Sequence, residues 1–207
     1  MKKFIILIPI YNDWKSVFQL LENIDLQIAK WDAEVLVLII NDGSTEERTV
    51  TELSFKNIKT VRVMNMKQNQ GHARCNAAGL KYLTEKEDFD YVILMDGDGE
   101  DRPEELTSLF NKSKENPLKT VTANRIKRSE GSFFKLLYEC HKILTYVFTG
   151  KLIKFGNYSC LPKEDAARLV KEACIWSSFS GSVTKIISDR VSVPSIRGKR
   201  YFGPSQM

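Results

Sequence analysis

Three uninterrupted apolar runs constrain this chain most: Phe4-Ile5-Ile6-Leu7-Ile8, residues 35–40, and Tyr91-Val92-Ile93-Leu94-Met95. A run of five or six apolar residues without alternation leaves no polar face for water. Such runs suit strands buried on both faces of a parallel sheet. Residues 58–64 read as a further strand. Between the strands, Val17, Leu20, Leu21, Ile24 and Ile28 recur at helical spacing, and residues 73–83 predict a helix beginning just after Gly71. Another helix is predicted from about Pro103, a favoured first-turn residue, with Glu104 and Glu105 complementing the helix N-terminus. Strand and helix alternate to about residue 124. That pattern argues for an α/β fold, an open, mostly parallel sheet flanked by helices.

Sheets of this kind bind ligands beyond the carboxyl ends of their strands. Three strands here exit into polar or special residues: Pro9-Ile10-Tyr11-Asn12-Asp13, Asn41-Asp42-Gly43-Ser44 and Asp96-Gly97-Asp98. One edge should therefore gather several carboxylates. Asp96 and Asp98, just past a buried strand, must face solvent or a cation. Hard ions such as Mg²⁺ or Mn²⁺ take one or two protein oxygens and complete their shell from substrate phosphate. Gly97 would let a nucleotide approach the backbone. Each exit also has an ordinary reading as turn chemistry. Their joint arrival at one edge favours a binding site, in which Tyr11 offers an aromatic face to a base and Asp13 and Asp42 accept hydrogen bonds.

The 207 residues have room for one domain with a sizeable core. A net charge of +5 fits an enzyme for anionic substrates or a protein near acidic lipid, and falls short of a nucleic-acid signature. Cys75, Cys140, Cys160 and Cys174 show no close pairing, and with only His72 and His141 a zinc site is not expected. They read as reduced core thiols of a cytoplasmic protein. Lys2-Lys3 leads straight into a strand, so no signal peptide is expected, and nothing reaches the ~20 apolar residues of a membrane helix. A membrane anchor would lie outside this chain. Residues 133–148 predict an amphipathic helix with Lys135, Glu139 and Lys142 on one stripe, which would rest on a bilayer surface or pack on the sheet.

The three exits, together with Gly71-His72-Ala73-Arg74-Cys75-Asn76-Ala77-Ala78-Gly79, resemble the ordered motif series of inverting family-2 glycosyltransferases with the GT-A (Rossmann-like) fold. The resemblance covers residues 1 to about 105. It implies one catalytic domain over residues 1–207, with a nucleotide-sugar-binding half to residue 105 and an acceptor half from 106. It further implies that Pro9, Tyr11, Asn12, Asp13, Asp42, Gly71, Arg74, Asp96 and Gly97 surround the donor nucleotide, and that Asp98 ligates Mg²⁺ or Mn²⁺. The family usually has Glu where Asp13 stands. UDP is the default nucleotide, with GDP next.

The second half narrows the resemblance to the polyprenyl-phosphate (dolichyl- and undecaprenyl-phosphate) sugar transferase branch, through residues 125–131, 155–159 and 200–205. Arg125 and Arg128 then correspond to groups binding a lipid phosphate, where their plain reading is a solvated basic turn. Arg200 corresponds to a group near the donor diphosphate. That branch often has Gly-Asp-Phe where Gly156-Asn157-Tyr158 stands here. A hydroxyl acceptor needs a base, whereas a lipid phosphate is already ionised and needs positioning and neutralisation. Asn157 therefore leans toward a phosphate acceptor, with Glu130 and Asp101 as candidate bases for a saccharide hydroxyl. Expected partners are a nucleotide-sugar donor, such an acceptor and a peripheral membrane contact at the cytoplasmic face, without nucleic acid. The oligomeric state is not legible. A non-catalytic nucleotide-sugar-binding module is the reading from another class.

Overall fold

The computed structural model describes residues 1–47, 54–127 and 153–204. Arg128, Glu130, Cys140, His141 and the predicted amphipathic helix lie outside them. The predicted strands appear as β1 (Lys2–Ile10), β2 (Ala33–Asn41), β3 (Ile58–Asn65) and β4 (Tyr91–Leu94). The helices between them are α1 (Trp14–Gln27) and α2 (His72–Lys86). Met95 falls just outside β4, although its N–H still donates to the Leu7 carbonyl at 3.2 Å. The helix expected from Pro103 begins as a 3₁₀ turn, Pro103–Glu105, and becomes α3 at Leu106–Glu115. A tightened first turn is common at helix N-termini.

Beyond α3 the chain adds β5 (Thr120–Lys127), β6 (Phe155–Pro162), α4 (Lys163–Leu169), α5 (Phe179–Ile186) and β7 (Arg190–Ile196). The seven strands of the described residues form one sheet in the order β3-β2-β1-β4-β6-β5-β7. β3, β2, β1 and β4 are mutually parallel. β6 runs antiparallel to β4 and β5, and β7 is parallel to β5. The sheet is thus mostly parallel, as the apolar runs predicted.

Alternate side chains of each central strand feed opposite layers, as the two-residue strand period requires. Phe4, Ile6, Ile8 and Ile10 of β1 pack with Val17, Leu20 and Ile24 of α1 and with Leu109 and Phe110 of α3. Ile5 and Leu7 pack on the other side with Leu80 and Leu83 of α2 and Val183 of α5. With helices on both faces, the carboxyl ends of β1, β2 and β4 are left as one open edge. Among the described residues no helix is long and apolar enough to cross a membrane. Cys75 and Cys160 are buried free thiols and Cys174 is a half-buried one.

Candidate functional site

The open edge carries a cleft of about 160 Å³ lined by Pro9, Tyr11, Asp13, Asp96, Gly97, Asp98 and Arg200, and also by His72, Glu100 and Arg197. Pro9 lies in β1, Tyr11 just past its end, and Asp13 immediately before α1. β4 delivers Asp96 and Asp98. The carboxylates predicted to converge from these two strand ends do so.

Arg200 is the centre of the charge arrangement. Its guanidinium donates to Asp98 Oδ2 and to Asp13 Oδ2, both at 2.6 Å. The other Asp98 oxygen accepts the Glu100 backbone N–H at 2.9 Å. The chain after β7 lies along the loop after β4: the Gly198 N–H donates to the Glu100 carbonyl at 2.7 Å and the Tyr201 N–H to the Asp98 carbonyl at 2.9 Å. Gly99 makes this approach feasible. It adopts φ +89°, and a Cβ there would sit 2.6 Å from the Tyr201 ring. Arg197 adds an ion pair to Glu100.

Asp96 faces a different set. Its Oδ1 lies 3.2 Å from both His72 Nε2 and Asn157 Nδ2, and those two nitrogens are 3.0 Å apart. Its backbone N–H donates to Asp101 Oδ2 at 2.9 Å. Burial raises the Asp96 carboxyl above its ordinary value, with His72 opposing and Asp98 reinforcing the rise. Asp101 is pushed well above the carboxylate range by burial and by the charge of Asp96. It is 3% exposed and lies 3.7 Å from the Arg125 guanidinium. A candidate base must reach the acceptor's proton, and Asp101 is instead committed beneath the loop.

Other expectations are redirected. Asp42 is fully buried, and its two oxygens accept the backbone N–H groups of Gln70 and Gly71 at 2.8 Å each. It closes the loop into α2 rather than presenting a free carboxylate to a ribose or base. Gly71, at φ +85°, is the residue before α2. Asn12, at φ +50°, ties β1 to the segment after β2: its N–H donates to Ser44 Oγ at 2.8 Å and its Oδ1 accepts the Thr45 N–H at 2.8 Å. Arg74 is exposed and lies 3.5 Å from Gln70 Oε1, outside the cleft. A Cβ on Gly97 would meet Ile10 Cγ2 at 2.7 Å and the Pro9 carbonyl at 3.2 Å. Packing against β1 therefore requires the glycine by itself.

His72, Glu100 and Arg197 were missed as site residues. His72 did carry a signal, since it follows Gly71 at the first position of α2, within the motif already singled out. Glu100 also had a local signal, two residues after Asp98, whereas Arg197 gave none, because its partner Glu100 lies 97 positions away.

The available donors suit a hard divalent cation only in part. Among the described residues no three His, Cys, Asp or Glu side chains gather to cage an ion. Asp98, with Asp96 in the same cleft, provides the one-or-two-carboxylate set that a substrate-shared Mg²⁺ or Mn²⁺ uses.

The sequence model of the family described as Glycosyl transferase family 2 matches residues 5–175. Among curated proteins, the chain is 26% identical over 211 residues to undecaprenyl-phosphate 4-deoxy-4-formamido-L-arabinose transferase from Klebsiella pneumoniae (strain 342). That match covers 99% of this chain and 62% of the relative, so the chain spans less than two thirds of that protein's length. Among solved structures, it is similar to glucosyl-3-phosphoglycerate synthase from Mycobacterium tuberculosis in complex with Mn²⁺, UDP and glucosyl-3-phosphoglycerate. The TM-score is 0.65 at 12% identity, covering 98% of this chain and 73% of that one. The same enzyme with Mn²⁺, UDP-glucose and phosphoglyceric acid gives 0.64 at 13% identity.

Proposed function

The chain belongs to glycosyl transferase family 2 and has its GT-A fold, and on that premise we propose that it moves a sugar from a nucleotide sugar, UDP by preference, to a polyprenyl phosphate. The observation that carries this reading is the cleft at the ends of β1 and β4, where Asp13, Asp96 and Asp98 meet Arg200. Tyr11 and Asp13 border the nucleobase and ribose, Asp96 faces the nucleotide, and Asp98 holds Mg²⁺ or Mn²⁺ beside the diphosphate. Such an ion, when bound, neutralises charge on the departing diphosphate.

An oxygen of the acceptor phosphate attacks the anomeric carbon as the bond to the diphosphate breaks, with inversion. Arg125 at the end of β5, with Arg128 following it, positions and neutralises that phosphate. Two features support an acceptor that is already ionised. Asn157 stands where the branch often has a carboxylate, and Asp101 is buried and hydrogen-bonded. The Klebsiella relative is an undecaprenyl-phosphate transferase by name, at 26% identity. We place the chain at the cytoplasmic face of the membrane, where a nucleotide sugar and a lipid phosphate meet, with residues 1–105, joined by Arg200, serving the donor and the rest of 106–207 the acceptor.

The test is incubation with polyprenyl phosphate, a panel of radiolabelled nucleotide sugars and Mn²⁺. Labelled lipid that is lost in Asp98→Ala, while that variant keeps the native melting curve, is the expected result. Label passing only to saccharide hydroxyls would overturn the acceptor. Binding of UDP with Mn²⁺ without consumption of any donor would reduce the chain to a binding module.

A further inference from the structure

Asp98 is already engaged on both of its oxygens. Its Oδ1 is taken by the Glu100 N–H at 2.9 Å, and its Oδ2 carries the Arg200 guanidinium at 2.6 Å. A divalent ion ligated by Asp98 therefore has to contend with the Arg200 guanidinium already seated on that carboxylate. The same guanidinium also holds Asp13 at 2.6 Å, so one side chain neutralises the carboxylates arriving from two strand ends. All three side chains are largely withdrawn from water, at 17%, 14% and 16% exposure for Arg200, Asp13 and Asp98. Solvent screens such pairs weakly.

We infer that Arg200 is the resident counter-ion of the donor site, and that metal and nucleotide enter together by transferring its guanidinium from Asp98 to the diphosphate. This rests on the donor and metal reading given above and adds the order and coupling of binding.

The charges require the two ligands to cooperate. A divalent ion alone would bring two positive charges against Arg200 at the same carboxylate. A diphosphate alone would bring negative charge into a cleft already holding Asp13, Asp96 and Asp98. Together the ligands nearly cancel, and the planar guanidinium fork finds in a phosphate a partner matched as well as a carboxylate. The backbone carrying Arg200 need not move. The Ile196 N–H donates to Glu105 at 2.9 Å, Gly198 and Tyr201 are tied to the loop after β4, and the Tyr201 hydroxyl accepts from Asn23 at 2.9 Å. Only the side chain has to turn. Arg200 thus acts on the metal through Asp98, as a positioning residue.

The experiment is Mn²⁺ titration followed by electron paramagnetic resonance, with and without saturating UDP, on the native chain and on Arg200→Gln and Arg200→Lys. Native protein should bind Mn²⁺ weakly alone and much more tightly with UDP. In Arg200→Gln, Mn²⁺ alone should bind about five-fold tighter or better, and the factor by which UDP tightens it should shrink, as the loss of a coupling of ordinary size requires. Arg200→Lys, which keeps the charge without the fork, should fall between the two and serves if Arg200→Gln does not fold. Equal Mn²⁺ affinity in native and folded variant protein, with UDP still strengthening both alike, overturns the exchange and leaves the proposed function standing. Absence of Mn²⁺ binding to native protein even with UDP overturns the metal reading itself, and this inference with it.

Discussion

The side-chain amide of Asn157 donates to Asp96 Oδ1 across 3.2 Å, and the same nitrogen lies 3.0 Å from His72 Nε2. β6 thereby places a neutral donor against a carboxylate whose ionised form burial already disfavours. A carboxylate at position 157 would set two like charges within hydrogen-bond distance.

Asn157→Asp should accordingly lose about 1–2 kcal/mol of stability at neutral pH, the scale of one pKa unit of repulsion. Mn²⁺ should restore part of it. Urea unfolding with and without the ion measures both. A variant as stable as native protein in the absence of metal would contradict the contact.

Asp42→Ala should cost about 2–4 kcal/mol, because two backbone N–H groups, those of Gln70 and Gly71, would lose their acceptors at a buried point. Asp42→Asn should cost less, since its carbonyl still serves one of them. Denaturant midpoints rank the three proteins. An Asp42→Ala chain of native stability but weakened UDP binding would return this residue to the donor.

Gly97→Ala separates packing from ligand approach. The added methyl would stand 2.7 Å from Ile10 Cγ2, so about 1–3 kcal/mol of stability should be lost. The melting temperature of ligand-free protein reads this. A normal melting temperature with impaired nucleotide affinity would restore the reading of Gly97 as a space for substrate.

Asp101 makes stability depend on pH. Its folded-state value is raised, so between about 4, where an unfolded Asp titrates, and that raised value only the folded chain holds the proton. Stability should therefore fall as pH rises through this window, and the part due to Asp101 is fully present only below it. Asp101→Asn should flatten the slope in urea titrations at a series of pH values. An unchanged slope would mean that the buried carboxyl titrates normally.

The first half of the fold was legible because its strands carry their own signature. Residues 4–8, 35–40 and 91–95 are apolar throughout, since β1, β2 and β4 lie inside the sheet with helices on both faces. β5 and β7 gave no such sign. β7 is an edge strand with Pro194 and alternating exposure, and Thr120, Thr122 and Asn124 interrupt β5. Strands of that kind look like loops until a partner pairs with them. β6 was visible only as the motif around Asn157.

The sequence by itself determined the α/β class and brought Asp13, Asp96 and Asp98 to one sheet edge, because strand burial and strand ends are written in local hydrophobic pattern. Only the tertiary structure decided what each polar group does there. Asp42 went to a loop and Asp101 beneath another. Gly97 packs against β1 with no room for a Cβ, and Arg200 returned across 187 residues to Asp13 and 102 to Asp98. A carboxylate's duty depends on which donor finally reaches it, and those donors come from distant segments whose meeting no local pattern records.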